Sequence, residues 1–490
     1  MSAQGISVCL LCSLLVVIPA GVLTTPLDDY VNTPDSHYSY HEVLEWRLKG
    51  PGYTMYLLNM TSQQWLTDED VDRPIWWHWL AVTVPDNITH PEAAFMFIDG
   101  DNNNQPESLP SHHDMSITAT QMFAVSTGSI AVTVKQVPNE PILFKKDPLQ
   151  KKRSEDSLLA YSWRHFLDYP DKPEWLIWSA MTKASVRAMD TVQDFAKKMT
   201  GSQPEKFLVS GASKRGWTTW LTGAVDKRVF ALAPIVFDLL NMHKNMHHYY
   251  RTFGGWPFAF GPFYDLNITG RLDDPNFEKM ATIIDPLAYK DRLTMPKYVT
   301  GTGGDEFFLP DDSYFYWDQL EGENYRRWIP NAEHSCAGHL ISIVFGIRAF
   351  FFSILEDSPR PKLTWTRETG TKSGTITLQT NTKAMVVRSF HARTLDGVRR
   401  DFRLINQPPG EKGPQPHPVV WLPEDVKDMG NGTYVAEFDI PDVGWLAFFI
   451  QATFPAPHGT ALEFTTEVHI IPETFPFPEC HGADCRGFIV

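Results

Sequence analysis

The sequence predicts an α/β protein: a mostly parallel sheet with helices on both faces, a lid insertion, and a C-terminal β-sandwich-like domain. Three observations predict it. Strand-like and helix-like segments alternate between residues 79 and 356, several of the strands are apolar throughout, and the alternation stops after Pro359. A strand that is apolar on both faces is buried on both, which in an alternating chain means a parallel sheet between helical layers. With 490 residues and 43% apolar content, the chain can bury such a core and is long enough for two domains.

The elements follow in order. "WLAVTVP" (79–85) and "AAFMFIDG" (93–100) read as strands. "ITATQMFAVSTG" (117–128) is apolar at helical spacing and stops at Gly128, and "SIAVTVKQVP" (129–138) is the next strand. "LLAYSWRHFL" and residues 179–201 read as helices, the second ended by Gly201. Strand "KFLVS", a helix from Lys214, and strand "VFALAPIVF" (229–237) come next. Strand "PKYVTG" (296–301), a helix near 312–322, strand "RRWIP" (326–330) and an apolar helix at 338–356 complete an α/β domain over 28–358. Residues 239–290 are rich in Trp, Phe, Tyr, Gly and Pro without a strand, the mark of a lid inserted between two strands. From 361 to about 475, short β runs such as "GTITLQT" and "WLAFFIQATF" are separated by turn residues alone, and 476–490 is a Cys-containing tail.

Composition narrows the function. A formal charge of -15 disfavours nucleic acid and anionic membrane as partners. No charged side chain precedes Asp28, Ile6–Ile18 is nearly all apolar, and Pro19-Ala20-Gly21 follows. Residues 1–20 therefore read as a secretory signal, shorter than the roughly 20 apolar residues a span needs. The mature chain is expected to be extracellular and without a membrane span. Sequons at Asn59, Asn87, Asn267 and Asn431 agree with export. Cys9 and Cys12 would leave with the signal; Cys480 and Cys485 could close a small disulfide loop, leaving Cys336 as a buried thiol.

The chemistry centres on "FLVSGASKRGW" (207–217). Ser213 sits where a buried strand turns sharply into a helix, with Gly211 two before it and Gly216 three after. Such an elbow exposes a hydroxyl above a helix N-terminus, whose N–H groups can hold an oxyanion. The same serine also reads as a helix N-cap. Partners decide between these readings, because a nucleophilic serine needs a base and an acid to orient that base. Asp305 follows strand "PKYVTG" and His334 follows strand "RRWIP", in the order Ser, Asp, His and on loops past strand ends. Asp238, after "PIVF", is the alternative acid, and His339 the alternative base.

"SGASKRGWTTWLTGAVDKRVFALAPIVFDLLN", "GDEFFLPDDS" and "PNAEHS" resemble the PhoPQ-activated pathogenicity-related family over most of the chain, from about Tyr30 to beyond Pro472. The resemblance implies an α/β-hydrolase fold and, by position, a triad of Ser213, Asp305 and His334. The elbow is also similar to the G-C-S-R-x-G form of glucuronoyl esterases, with Lys214 standing where that family has Arg.

The mechanism implied is acyl transfer without a cofactor. The backbone N–H of Lys214 would be one oxyanion donor. Gly100 and Asp101 of "DGDNNN" would supply the other, although that stretch reads equally well as a polar turn. Lys214 and Arg215 place two cations at a helix start, against its dipole. Either an internal carboxylate such as Asp238 or Glu306 pairs with Arg215, or Lys214 holds an anionic substrate. His243 and His247 share a helix face beside His248, but Lys244 stands where metalloprotease spacing needs Glu, and His112-His113-Asp114 is equally generic; no metal site is expected. Trp76, Trp77 and Trp79 read as sheet packing, and "YYRTFGGWPFAFGPFY" as the lid's own core or a pocket wall. The two function classes in view are a secreted serine hydrolase acting on a small ester or peptide, and a secreted signalling protein that keeps the fold and binds a cell-surface receptor without turnover.

Overall fold

The structure is a computed structural model and describes residues 24–408 and 410–490. The signal reading of residues 1–20, with Cys9 and Cys12, lies outside them. The central sheet takes β1 (Ser39–Glu42), β2 (Leu48–Gly50), β3 (Tyr53–Gln64), β4 (Ile75–Pro85), β5 (Ala93–Ile98) and β6 (Ile130–Val134). A short ladder of β7 (Ile142–Leu143) and β8 (Lys152–Arg153) stands apart from it. The sheet continues with β9 (Lys206–Ala212), β10 (Val229–Ile235), β11 (Lys297–Thr302) and β12 (Asn324–Ile329). Its order is β1-β3-β4-β6-β5-β9-β10-β11-β12, with β2 on β3. Strands from β6 to β12 pair in parallel, and β1 to β4 form an antiparallel edge.

Helices α1 (Pro26–Asn32), α2 (Met115–Thr127), α3 (Glu155–Asp168), α4 (Ile177–Thr200) and α5 (Lys214–Val225) precede the insertion helices α6 (Met242–Phe253), α7 (Gly261–Asp265) and α8 (Pro275–Ile284); α9 (Leu340–Leu355) closes the series. The predicted stops hold: α2 ends at Gly128 and α4 at Gly201, both left-handed with φ 63° and 78°. Alternate residues of β9 face opposite layers. Phe207 and Val209 pack into the core shared with α3, α4, α5 and the insertion, whereas Leu208 packs toward α2, α9 and the C-terminal strands.

The aromatic insertion is a core element. Trp256, Phe260 and Phe263 join the main hydrophobic cluster, and the C-terminal tail pins them. Trp256 N–H donates to Phe488 O at 2.8 Å and Val490 N–H returns to Trp256 O at 2.8 Å. Trp256 Nε1 donates to the carbonyl of Cys485, which is disulfide-bonded to Cys480.

C-terminal strands Leu363–Thr369, Ser373–Thr380, Thr433–Asp439 and Lys427–Gly430 form one antiparallel sheet. Leu422–Asp425, Val386–Arg393, Leu446–Pro455, Ala461–Thr465 and His469–Ile471 form another. Both are separate from the central sheet, and the second packs against it: Trp328 N–H of β12 donates to Thr465 Oγ1 at 3.1 Å.

One expectation changes, and β1 to β3 lie before the first strand expected, at residue 79. β3 shows no clean alternation because it is buried along nearly its whole length. The helix expected near 312–322 is two short 3-10 turns, Asp312–Phe315 and Trp317–Gln319. Asp312 explains this, since its carboxylate accepts from Leu309 N–H at 2.8 Å and Tyr249 OH at 3.0 Å and holds the chain in a turn.

Candidate active site

The elbow between β9 and α5 is built around Ser213, at φ 57° and ψ −126°. A non-glycine residue there is strained, and the neighbours must make room. A Cβ on Gly211 would lie 2.6 Å from Arg215 O, and one on Gly216 would lie 2.9 Å from Ile235 O. Backbone atoms cannot step aside at those distances, so both glycines are sterically required. Ser213 N–H donates to Ile235 O at 2.9 Å, fixing the turn on β10. The N-cap role does not materialise: the Ser213 side chain makes no capping bond. Its hydroxyl instead donates to His334 Nε2 at 2.8 Å.

His334 follows β12 and Asp305 follows β11. His334 Nδ1 lies 3.0 Å from each oxygen of Asp305. Asp305 is itself held by Phe307 N–H at 2.8 Å, Phe308 N–H at 3.2 Å and Thr302 Oγ1 at 3.3 Å. The Phe307 ring, 4.4 Å from the imidazole, forms a wall against it. Burial alone would lower the His334 pKa, but the carboxylates of Asp305 and Glu306 outweigh it and hold the imidazole above its ordinary value. Glu306, expected as a partner of Arg215, instead accepts His334 N–H at 3.0 Å; burial and then the Asp305 charge push its carboxyl up to about 7.

The alternatives lie elsewhere. Asp238 binds Arg326 at 2.8 Å and accepts from Tyr316 OH, so it is the partner of a buried arginine and not of the imidazole. His339 is half-buried at the start of α9. Buried Cys336 lines the same cavity as Ser213; burial, then nearby carboxylates, push its thiol up to about 12 and keep it neutral.

Lys214 and Arg215 are compensated by neither Asp238 nor Glu306. Arg215 donates to both oxygens of Glu155 at 2.9 Å, and Lys214 lies 2.6 Å from Glu155 and 3.1 Å from Asp156. These acids open α3, so the same charges suit the α3 dipole and cancel the cations on α5. No local pattern links residues 60 apart. Gly100 also answers to Arg215, since a Cβ there would lie 2.7 Å from Arg215 Nη2. Gly100 N–H donates to Asp99 Oδ1 at 2.8 Å, so it is not a free oxyanion donor. The N–H groups of Asp101, which sits at φ 114°, and of Lys214, in the first turn of α5, are the remaining candidates.

The C-terminal half clamps both loops of the site. Asn331 and Trp421 exchange side-chain-to-backbone bonds at 2.9 and 2.7 Å, and Trp421 Nε1 donates to Gly303 O at 3.1 Å. Ser213, His334, Gly100 and Asp101 line one cavity of about 510 Å³.

The remaining candidates take other partners. His243 and His247 converge on Asp273 Oδ1 at 3.4 and 2.9 Å, and His248 pairs with Asp311 at 2.9 Å. His112 stacks on Trp46, while Asp114 caps α2 and pairs with Lys135 at 2.8 Å. Trp76 and Trp79 are buried in the sheet, and Trp77 is half-buried beside Trp79. Among the sequons, Asn87 and Asn431 are exposed in turns, Asn59 is half-buried in β3, and Asn267 accepts from Arg486 at 2.9 Å. Among the described residues no helix is long and apolar enough to cross a membrane.

Comparison with known proteins adds a family. The family described as PhoPQ-activated pathogenicity-related protein matches residues 27–403. A relative from Dictyostelium discoideum, autocrine proliferation repressor protein A, is 39% identical over 98% of this chain and 97% of its own. Among solved structures, acetyl xylan esterase 1 from a Thermoanaerobacterium species is 14% identical, covering 66% of this chain and 92% of that one with a TM-score of 0.45. An acetyl xylan esterase from a Paenibacillus species is 12% identical, covering 68% and 92% with a TM-score of 0.46.

Proposed function

We propose that this protein, which belongs to the PhoPQ-activated pathogenicity-related family, is a secreted serine hydrolase acting by acyl transfer. One observation carries the reading: Ser213 Oγ, His334 and Asp305 stand in a continuous hydrogen-bonded line at 2.8 and 3.0 Å, each past the end of a parallel strand. In the first half-reaction Ser213 Oγ attacks the substrate carbonyl while His334 Nε2 takes its proton. Asp305 holds the imidazolium, and the N–H groups of Lys214 and Asp101 receive the oxyanion. The carbon–leaving-group bond then breaks, with His334 returning the proton to the departing alcohol or amine. Water repeats the sequence on the acyl-serine, releasing the acid and restoring the serine.

The second reading, a signalling protein that binds a cell-surface receptor without turnover, draws on the name of the Dictyostelium relative. An active-site serine probe separates the two. A fluorophosphonate should label the wild-type protein, and Ser213→Ala should fold yet take no label. A wild-type protein that never labels would leave the signalling reading. For export, Asn87 and Asn431 would be the glycan acceptors, because their side chains stand free in turns.

A further inference from the structure

The cavity at Ser213 has a shape and a chemistry that select a substrate. It follows β5 away from the elbow. Asp99 stands at the mouth, and Phe97 and Phe95 descend from it on the same face of the strand, about 6.6 Å apart per pair of residues. Helix α2 forms one wall through Met115, Ala119 and Phe123, a descent of about 12 Å. Helix α9 forms the other through Leu340, Val344 and Ile347. At the floor the rings of Phe95 and Phe123 stack, 3.9 Å apart and 8° from parallel. The result is a slot of about 510 Å³, within the size of small-molecule sites.

Below the mouth the slot offers almost nothing to hydrogen-bond. On the α2 wall, Thr120 is already bonded to Ile117 O at 3.0 Å and Thr133 Oγ1 at 2.9 Å, and Ser116 Oγ donates to Asp114 Oδ1 at 2.7 Å. A sugar hydroxyl or peptide group placed there would be desolvated without a partner. At the mouth, Lys135 is paired with Asp114 at 2.8 Å, Asp99 at 3.1 Å and Asp101 at 3.7 Å, and Arg215 is paired with Glu155. Among the described residues that line the cavity, every cation already has a carboxylate, and three acids surround the entrance. An anionic substrate therefore meets repulsion rather than an anchor.

We propose that the slot is an acyl pocket, and that the substrate is a neutral ester of a medium-length, apolar acyl chain. This rests on the serine-hydrolase reading above. Acyl transfer proceeds as written there, with the chain directed between α2 and α9 while the alcohol departs through the acidic mouth.

The test uses the full mature chain with p-nitrophenyl esters from acetate through butyrate, octanoate and palmitate. Each methylene that enters the slot should raise kcat/KM about fourfold, from roughly 0.8 kcal/mol per buried CH₂, until the floor is reached. Octanoate should exceed acetate by at least about 100-fold, and palmitate should fall back. Val344→Trp and Ala119→Phe, which fill the slot from opposite walls, should flatten the rise of kcat/KM with chain length. Binding of 1-decanol, a neutral and unreactive probe, should be measurable by calorimetry in the wild type and lost in Val344→Trp. A flat or falling chain-length profile in a protein that labels would overturn the acyl pocket and leave the hydrolase standing. A protein that binds decanol in this slot but neither labels nor turns over any ester would overturn the hydrolase and the acyl-substrate proposal with it. Absence of both decanol binding and chain-length preference would remove the pocket on its own account.

Discussion

In the proposed reaction, His334 would set the pH dependence of the site. To act as the proposed general base its imidazole must be neutral, and its pKa is held above the ordinary value of about 6.5 by Asp305 against the opposing effect of burial. The acid limb of the kcat/KM profile should therefore lie above pH 6.5, with activity falling as pH drops through it. Asp305→Asn removes the charge that raises the pKa. The acid limb should then move to lower pH, and kcat should fall by about 10⁴ because the imidazolium and its tautomer lose their support. An unmoved acid limb in that variant would show that another group sets the profile. Stability should change little, since the Asn side chain can still accept from Phe307 N–H.

At the scale of elements, two helix starts neutralise each other. The cations opening α5 meet the acids opening α3, and Glu155 bridges Lys214 and Arg215. Glu155→Gln should destabilise the fold by about 1–3 kcal/mol. That is less than the loss of a fully buried partner, because the Glu155 side chain is 46% exposed. A chemical-denaturation midpoint equal to wild type would show that solvent screens these cations. The loops after β11 and β12 depend in turn on the C-terminal strands. Trp421→Phe keeps the buried ring but loses the bond to Gly303 O, a net contribution of about 1 kcal/mol. If this clamp positions Asp305 and His334, kcat should fall with KM unchanged; equal kcat would assign Trp421 to packing alone.

Across the whole molecule, one buried ion cluster joins three distant stretches. Asp311, from the segment after β11, binds His248 of the insertion at 2.9 Å and Arg400 of the C-terminal half at 2.6 Å, and all three are buried. Burial would raise the Asp311 pKa, but Arg400 and His248 more than reverse it and hold the carboxyl well below its usual range. A depressed carboxylate contributes stability that is complete above the unfolded value of about 3.9 and is lost as pH falls below it. Asp311→Ala should cost about 3–5 kcal/mol at neutral pH by leaving the arginine buried and unpaired. The wild-type advantage over this variant should shrink as the solution is acidified. Urea unfolding at neutral and acid pH measures both quantities, and a pH-independent difference would contradict the assignment.

Much of this was legible in the amino-acid order because local rules govern it. Apolar runs marked the buried strands β5, β6, β9 and β10, Gly128 and Gly201 marked helix ends, and small residues around Ser213 marked a strained turn. Ser213, Asp305 and His334 stood out as candidates because each follows such a strand, and strand ends in a parallel sheet share one edge. Tertiary structure alone decided the rest. β3 shows no clean alternation because it is covered along nearly its whole length, and Asp312 bends a helix-like stretch through bonds to Leu309 and Tyr249. Arg215 takes a partner 60 residues away, the hydroxyl of Ser213 turns from its helix to the imidazole, and Phe95 meets Phe123 at the floor of the slot. Periodicity and capping act over a few residues and can be read from neighbours in sequence; charge pairing and cavity shape depend on which surfaces the fold brings face to face.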